Sequence, residues 1–193
     1  MCLQIPTATS SASVTPTSRP APHHPVESLP VNTTRVREHL ASLGFTGEIL
    51  EFAESSATVE LAAEKVGTEP ARIAKTLGFT DPDDTERAVL VVAAGDARVN
   101  GGRFKREFGA KPRMLQGEAV LERTGYPIGG VCPFAPAPGA RVFLDASLRR
   151  FATVFPAAGT ATSAVEIPVE RLVELTGSEG WVDVTLGWQP DEV

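Results

Sequence analysis

The chain has 193 residues, 42% of them hydrophobic, and a formal net charge of −6 from 24 acidic and 18 basic residues. That length fits one domain with residues left over for a tail, and the apolar fraction is enough to build a core. The composition excludes several classes: the acidic balance argues against DNA or RNA held by bulk charge, no apolar run approaches the ~18 residues of a membrane span, and three histidines and two cysteines give no zinc spacing and no disulfide framework.

Residues 1–30 are rich in Pro, Ser, Thr and Ala, carry only Arg19 and Glu27 as charges, and show no apolar period, so they read as a disordered tail. The start, Met1 to Pro6, lacks a basic segment followed by an apolar one, and Cys2 and Cys132 fit a reducing compartment; a cytoplasmic protein is expected. His23 and His24 fall in the tail and His39 on a helix face. A histidine-based triad is therefore not expected, and neither is a metal or cofactor. Chemistry must run on lysine, aspartate, hydroxyls, backbone amides or the substrate itself.

Residues 31–193 form the folded part. Val36, Leu40 and Leu43 recur at helical spacing, which predicts a helix over Thr34–Leu43 stopped by Gly44. Glu48–Phe52 alternates as a strand. Thr58 can cap a helix with Val59, Ala62, Ala63 and Val66 on its apolar face, closed by Gly67. Pro70 suits the first turn of a short helix reaching about Ala74. Ile73–Phe79 is apolar with one lysine, Lys75, and Ala88–Ala94 has the unbroken apolar run of a central strand. After the Gly95-Asp96 turn, Asn100 can cap a helix with Phe104 and Phe108 on one face, ended by Gly109. A short strand at Arg113–Leu115 and a helix from Gly117 to Arg123 follow.

The next stretch, Thr124-Gly-Tyr-Pro-Ile-Gly-Gly-Val-Cys-Pro-Phe134, holds three glycines and two prolines and no charge. Its prolines stiffen it, and Gly129 and Gly130 allow positive φ or a close approach to backbone amides. Such a loop can present N–H groups to an ester carbonyl or a phosphate, or it can simply connect two packed elements. Beyond it, Arg141–Leu144, Ala152–Phe155 and Ala164–Ile167 read as strands, Pro168 opens a helix with Leu172, Val173 and Leu175 inward, and Trp181–Val184 is a last strand. Short strands and helices alternate without regular βαβ spacing, which predicts one α+β domain with a mixed, mostly antiparallel sheet.

Three segments in this order resemble the YbaK/EbsC family of aminoacyl-tRNA deacylases, related to the editing domain of bacterial prolyl-tRNA synthetase. They are Ala62–Gly67 with Arg72–Leu77; the loop Gly125–Phe134, whose Gly129 to Pro133 matches a Gly-x-x-x-Pro core; and Val142–Asp145 through Ala158-Gly159 to Val165–Ile167. The resemblance runs from about residue 33 to the C-terminus. It implies a compact barrel-like mixed sheet flanked by helices, and hydrolysis of mischarged aminoacyl-tRNA, typically prolyl-tRNA bearing a wrong amino acid. The partner implied is the 3′ end of aminoacyl-tRNA, bound weakly, with prolyl-tRNA synthetase as a further candidate.

On that resemblance Lys75 and Gly130 are the expected catalytic positions. Lys75 would be a cation for the terminal phosphate or adenosine; the residues alone favour a surface-facing strand lysine, and the resemblance reverses that preference. Gly129 and Gly130 would present amides to the oxyanion, with Val131, Cys132 and Pro133 as pocket wall. Cys132 invites a nucleophile reading, but no histidine is available to activate it. Asp145 matches a family aspartate that orients the loop or the substrate amine, and its spacing also allows a helix cap. Thr58 either lines the site or caps its helix, and Gly159 would let the backbone pass close to the pocket. The basic run Arg103, Lys105, Arg106, Lys111 and Arg113 fits acceptor-stem phosphates or a solvated helix face. A non-catalytic tRNA- or synthetase-binding module on the same fold is the alternative function.

Overall fold

The computed structural model describes residues 33–54 and 58–188; the predicted N-terminal tail lies outside the described residues. The element around which the rest assembles is the strand Ala88–Ala94, seven residues that are all buried. Counting strands and helices in chain order, it is β3, preceded by α1 (Thr33–Ser42), β1 (Ile49–Glu51), α2 (Val59–Val66) and β2 (Ile73–Thr80). After it come β4 (Arg98–Val99), α3 (Gly101–Phe108), α4 (Glu118–Thr124), β5 (Arg141–Asp145), β6 (Thr153–Pro156), β7 (Ser163–Val165), β8 (Ile167–Pro168), α5 (Leu172–Thr176), β9 (Gly180–Val182) and β10 (Thr185–Leu186).

Six strands form one sheet in the order β8-β6-β2-β3-β5-β9, and two short pairs, β1-β7 and β10-β4, flank it. Within the sheet β2-β3 and β6-β8 are antiparallel, whereas β2-β6, β3-β5 and β5-β9 are parallel. Both flanking pairs are antiparallel, and the architecture is the expected mixed α+β one, but three of the five pairings inside the main sheet are parallel where antiparallel ones were expected to predominate. Because strand side chains alternate between faces, β3 feeds two cores. Leu90, Val92 and Ala94 join Tyr126, Cys132, Phe134 and Leu144 on one face. Val89 and Val91 join Phe79, Phe104 and Phe143 beneath α3 on the other. There Phe79, Phe104, Phe108 and Phe143 stack in sequence at centroid distances of 4.9, 4.5 and 5.1 Å, tilted or edge-on as ring quadrupoles prefer.

The helices α2 and α3 start and stop as the sequence predicts, whereas the helix expected from Pro168 opens as a 3-10 turn, Val169–Arg171, before α5, and Val173 points out instead of inward. Thr58 Oγ1 accepts from Leu61 N at 3.3 Å and Gly67 closes α2 in the left-handed region. Asn100 Oδ1 accepts from the amides of Gly102 and Arg103 to open α3. Other boundaries move for tertiary reasons. The short helix expected over Pro70–Ala74 is a 3-10 turn of Pro70–Arg72, because Ile73 and Ala74 are taken into register with Phe155 and Pro156 of β6. The strand expected over Ala164–Ile167 is two strands: β7 pairs with β1 and β8 with β6, the chain changing partner at Glu166. Arg113–Leu115 makes one bridge, Met114 with Phe79, rather than a full strand. The last strand ends at Val182, and β10, which no pattern announced, pairs with β4. Among the described residues no helix is long and apolar enough to cross a membrane.

Candidate active site

A cleft of about 470 Å³ opens where β6 leaves the edge of β2. Ile73 and Ala74 are paired with β6, while Gly78 O accepts from Leu115 N and Thr80 N donates to Arg113 O further along the same edge. Strand alternation turns the Thr76 backbone toward this edge too, in the gap between the two sets of contacts. Its side-chain Oγ1 is buried without a hydrogen-bond partner. Thr68 and Ser178 share that state among the described residues, but Thr76 alone of the three lines the cleft. A buried hydroxyl left unpaired costs about 1–3 kcal/mol, so the site carries an unmet donor and acceptor.

Lys75 is the one ionisable side chain on the cleft wall among the described residues. It is half-buried, and its Nζ donates to Gly95 O at 2.9 Å and to Ala97 O, the carbonyls of the turn that ends β3. An ammonium has three donors, so one N–H remains for a ligand. Burial pulls its pKa below the ordinary lysine value; nearby Arg98 acts in the same direction, while Asp96 and Glu60 oppose it. The solvated strand lysine that the sequence also allowed is not what the fold makes of it.

The glycine loop forms the facing wall. Gly125 ends α4 in the left-handed region, and Thr124 Oγ1 donates to Val120 O at 2.6 Å and accepts from Tyr126 N at 3.1 Å. Tyr126 is fully buried; its hydroxyl donates to Phe134 O, so the two ends of the loop are tied together, and the Arg35 guanidinium lies 5.1 Å from its ring centre. Between these anchors Gly130 N donates to Pro127 O at 2.9 Å, closing a turn in which Gly129 has φ +86°. A positive φ at the third position of a β-turn is the type II requirement, which explains Gly129. Among the described residues no acceptor takes the amides of Gly129 or Val131, and both residues line the cleft. Ile128, 70% exposed, and Met114, 55% exposed, are apolar lips on its rim. Thr160 and Ser163, joined Oγ1 to Oγ at 2.8 Å, add hydroxyls to the wall.

The aminoacyl-tRNA editing domain profile matches residues 53–175, the segment that contains the cleft. The chain belongs to the aminoacyl-tRNA editing domain family. It is 46% identical over 154 residues to the uncharacterized protein YwhH of Bacillus subtilis (strain 168), covering 80% of this chain and 97% of that one. Among solved structures, a candidate trans-editing enzyme for prolyl-tRNA synthetase superposes with a TM-score of 0.73 at 31% identity, over 82% of this chain and 99% of that one. The hypothetical protein APE2540 gives a TM-score of 0.71 at 32% identity, over 79% of this chain and 99% of that one.

The expected site residues of this editing domain divide into two groups. Thr58, Lys75, Gly129 and Val131 come together on the cleft. Gly130, Cys132, Pro133, Asp145 and Gly159 are not on its wall. The Gly130 amide is engaged in the turn, and a Cβ there would come within 2.8 Å of Thr160 Cα and 2.9 Å of Gly159 O. Gly130 and Gly159, the latter with φ +96°, therefore let two backbone segments meet behind the cleft. Cys132 is fully buried in the core beside Pro133, off the cleft wall, and burial raises its thiol to about 11, which disfavours the thiolate. Asp145 is also fully buried: its Oδ1 accepts from Ser147 N and Thr185 Oγ1, at 3.0 and 2.6 Å, and its Oδ2 from Val184 N at 3.0 Å. It caps a 3-10 turn, as the capping alternative describes, and anchors the start of β10, away from the cleft wall. Thr58 does both of the things considered for it. The sequence reading passed over Thr76, Met114, Ile128, Thr160 and Ser163; of these only Thr76, beside the lysine in a matched motif, carried a usable signal.

Proposed function

We propose that this protein is an aminoacyl-tRNA deacylase that acts in trans on mischarged tRNA, with tRNA for proline bearing a wrong amino acid as the substrate class. The observation that carries the reading is the cleft's composition: one partly desolvated ammonium, Lys75, faces a fixed turn whose Gly129 and Val131 amides have no acceptor. In the proposed reaction the ester carbonyl lies against that turn. Water adds to the carbonyl carbon and loses its proton to solvent. The oxyanion so formed accepts from the free amides; a donor of this kind contributes on the order of 100-fold or more in rate. The carbon–oxygen bond to the ribose then breaks, its electron pair staying on the ribose oxygen, which takes up a proton. The remaining N–H of Lys75 holds the anionic phosphate of the terminal nucleotide, so the ester is placed as well as polarised.

The test is turnover on tRNA for proline charged with alanine, serine, cysteine or proline, at protein well below substrate concentration. Multiple turnovers on a mischarged species, abolished by Lys75→Ala, are expected. Binding of these tRNAs without turnover would refute the enzyme and leave a binding module.

A further inference from the structure

A cleft of about 470 Å³ has the size of a small-ligand site and takes an aminoacyl nucleoside, not a duplex. Whatever carries that nucleoside must lie on the outer surface, and the distribution of unmatched charge marks where. Over much of the surface the guanidinium groups are neutralised by acids: Arg37 by Glu51, Arg72 by Glu166, Arg150 by Asp96 and Arg171 by Glu174. Arg35 and Arg149 lie over the rings of Tyr126 and Trp181. The stretch from Arg98 to Arg113 differs. It holds six basic residues against one acid, Glu107, in a chain of net charge −6. Arg103 is held by Asp183, but Arg98, Lys105, Arg106, Lys111 and Arg113 are exposed and have no carboxylate partner among the described residues.

The fold gives this stretch one side. Phe104 and Phe108 pack α3 onto the sheet and Arg103 ties it to β10, so Lys105 and Arg106 face solvent. Pro112 folds back to the start of α3, within contact distance of where a Cβ on Gly101 would lie, bringing Lys111 and Arg113 beside the helix. The stretch is bracketed by the cleft: Ala97, just before Arg98, accepts from Lys75, and Met114, just after Arg113, is a lip of the rim. Arg98 is near enough to Lys75 to disfavour its protonation.

We propose that Arg98, Lys105, Arg106, Lys111 and Arg113 form a phosphate-binding ridge that takes the backbone of the double-stranded RNA stem next to the ester. The proposal rests on the deacylase reading for the identity of the ligand, and it adds the surface that holds it. Contacts of this kind release counterions, so four of them give an affinity that falls about 100-fold between 50 and 200 mM salt.

The test uses the full chain, a fluorescent unacylated RNA hairpin with the tRNA acceptor sequence, and the variant Lys105→Gln/Arg106→Gln/Lys111→Gln/Arg113→Gln, all at exposed positions. A control, Arg37→Gln/Arg87→Gln/Arg171→Gln, removes comparable charge elsewhere. Wild type and control are expected to bind with the steep salt dependence, and the ridge variant with a nearly flat one. In deacylation, the ridge variant is expected to raise KM for full tRNA at least 10-fold with kcat unchanged, and to leave hydrolysis of an aminoacyl-adenosine ester as in wild type. An unchanged salt slope in the ridge variant, or equal weakening in the control, overturns the ridge. Failure of wild type to bind the hairpin at 50 mM salt also overturns it and would point to an acidic protein partner. Absence of ester hydrolysis by wild type defeats the deacylase reading alone, because the hairpin titration still decides the ridge.

Discussion

Gly130→Ala separates a packing glycine from a catalytic one. Gly130 has ordinary negative-φ backbone, so a methyl group meets no conformational penalty of the left-handed kind. What it meets is backbone: Thr160 Cα at 2.8 Å, Gly159 O at 2.9 Å and Thr160 C at 3.0 Å. None of the three atoms is the end of a flexible side chain, so the Pro127–Gly130 turn must move away from the Gly159–Thr160 segment. Overpacking of this kind costs about 1–3 kcal/mol. For a domain of this size each kcal/mol lowers Tm by about 2–4 °C, which gives a fall of roughly 2–12 °C. Urea denaturation followed by circular dichroism measures the free energy, and thermal melting checks it. Activity should fall too, because Gly129 and Val131 belong to the displaced turn. A Gly130→Ala protein that melts like wild type yet is inactive would refute the packing argument and return Gly130 to direct contact with the substrate.

Further substitutions test the rest of the site. Lys75→Arg keeps a cation that titrates higher. In wild type the ammonium pKa is depressed by burial, so activity should be lost as pH rises through a value below the ordinary ~10.4, and the variant should hold whatever activity it has to higher pH, after subtraction of spontaneous hydrolysis. Thr76→Val removes the buried hydroxyl without changing shape. It should leave Tm unchanged or raised and lower kcat/KM about 3- to 10-fold, and an unchanged kcat/KM would show that the hydroxyl does not meet substrate. Cys132→Ala should retain most activity, because the thiol is buried away from the cleft and pushed up to about 11; complete inactivation of a folded variant would revive the nucleophile. Asp145→Asn should cost about 1–3 kcal/mol in urea unfolding by disturbing three hydrogen bonds, with KM unchanged.

Elements stabilised by their own side chains were legible in the sequence. Thr58 and Asn100 announce their helices because each cap is made within three residues. The unbroken apolar run of β3 announced burial on both faces. What the sequence did not show depends on distant partners. Glu166 marks a change of strand partner that local propensity does not encode, and β10 exists because Asp145 and β4 receive it. The site follows the same rule. The glycine loop and Lys75 were visible as local chemistry. The division of labour between Gly129 and Gly130 was not, because it is set by Gly159 and Thr160, some thirty residues further along the chain.

In the proposed reaction, that division lets two glycines and one lysine serve the site. An aminoacyl ester is already reactive, so the protein needs to fix the carbonyl against donors that do not have to reorganise during the reaction. Gly129 supplies the turn, and Gly130 clamps it to the opposite loop so that the free amides are held in place. The same economy applies to Lys75. Its two carbonyl contacts fix the ammonium at the cleft and join it to the turn leading to Arg98, the first cation of the proposed ridge. Lys75→Ala should therefore do more than remove a charge. It leaves the Gly95 and Ala97 carbonyls without their donor, at a cost of about 1–3 kcal/mol in stability. A loss of activity confined to chemistry, with no change in unfolding free energy, would mean that the latch is not made in solution.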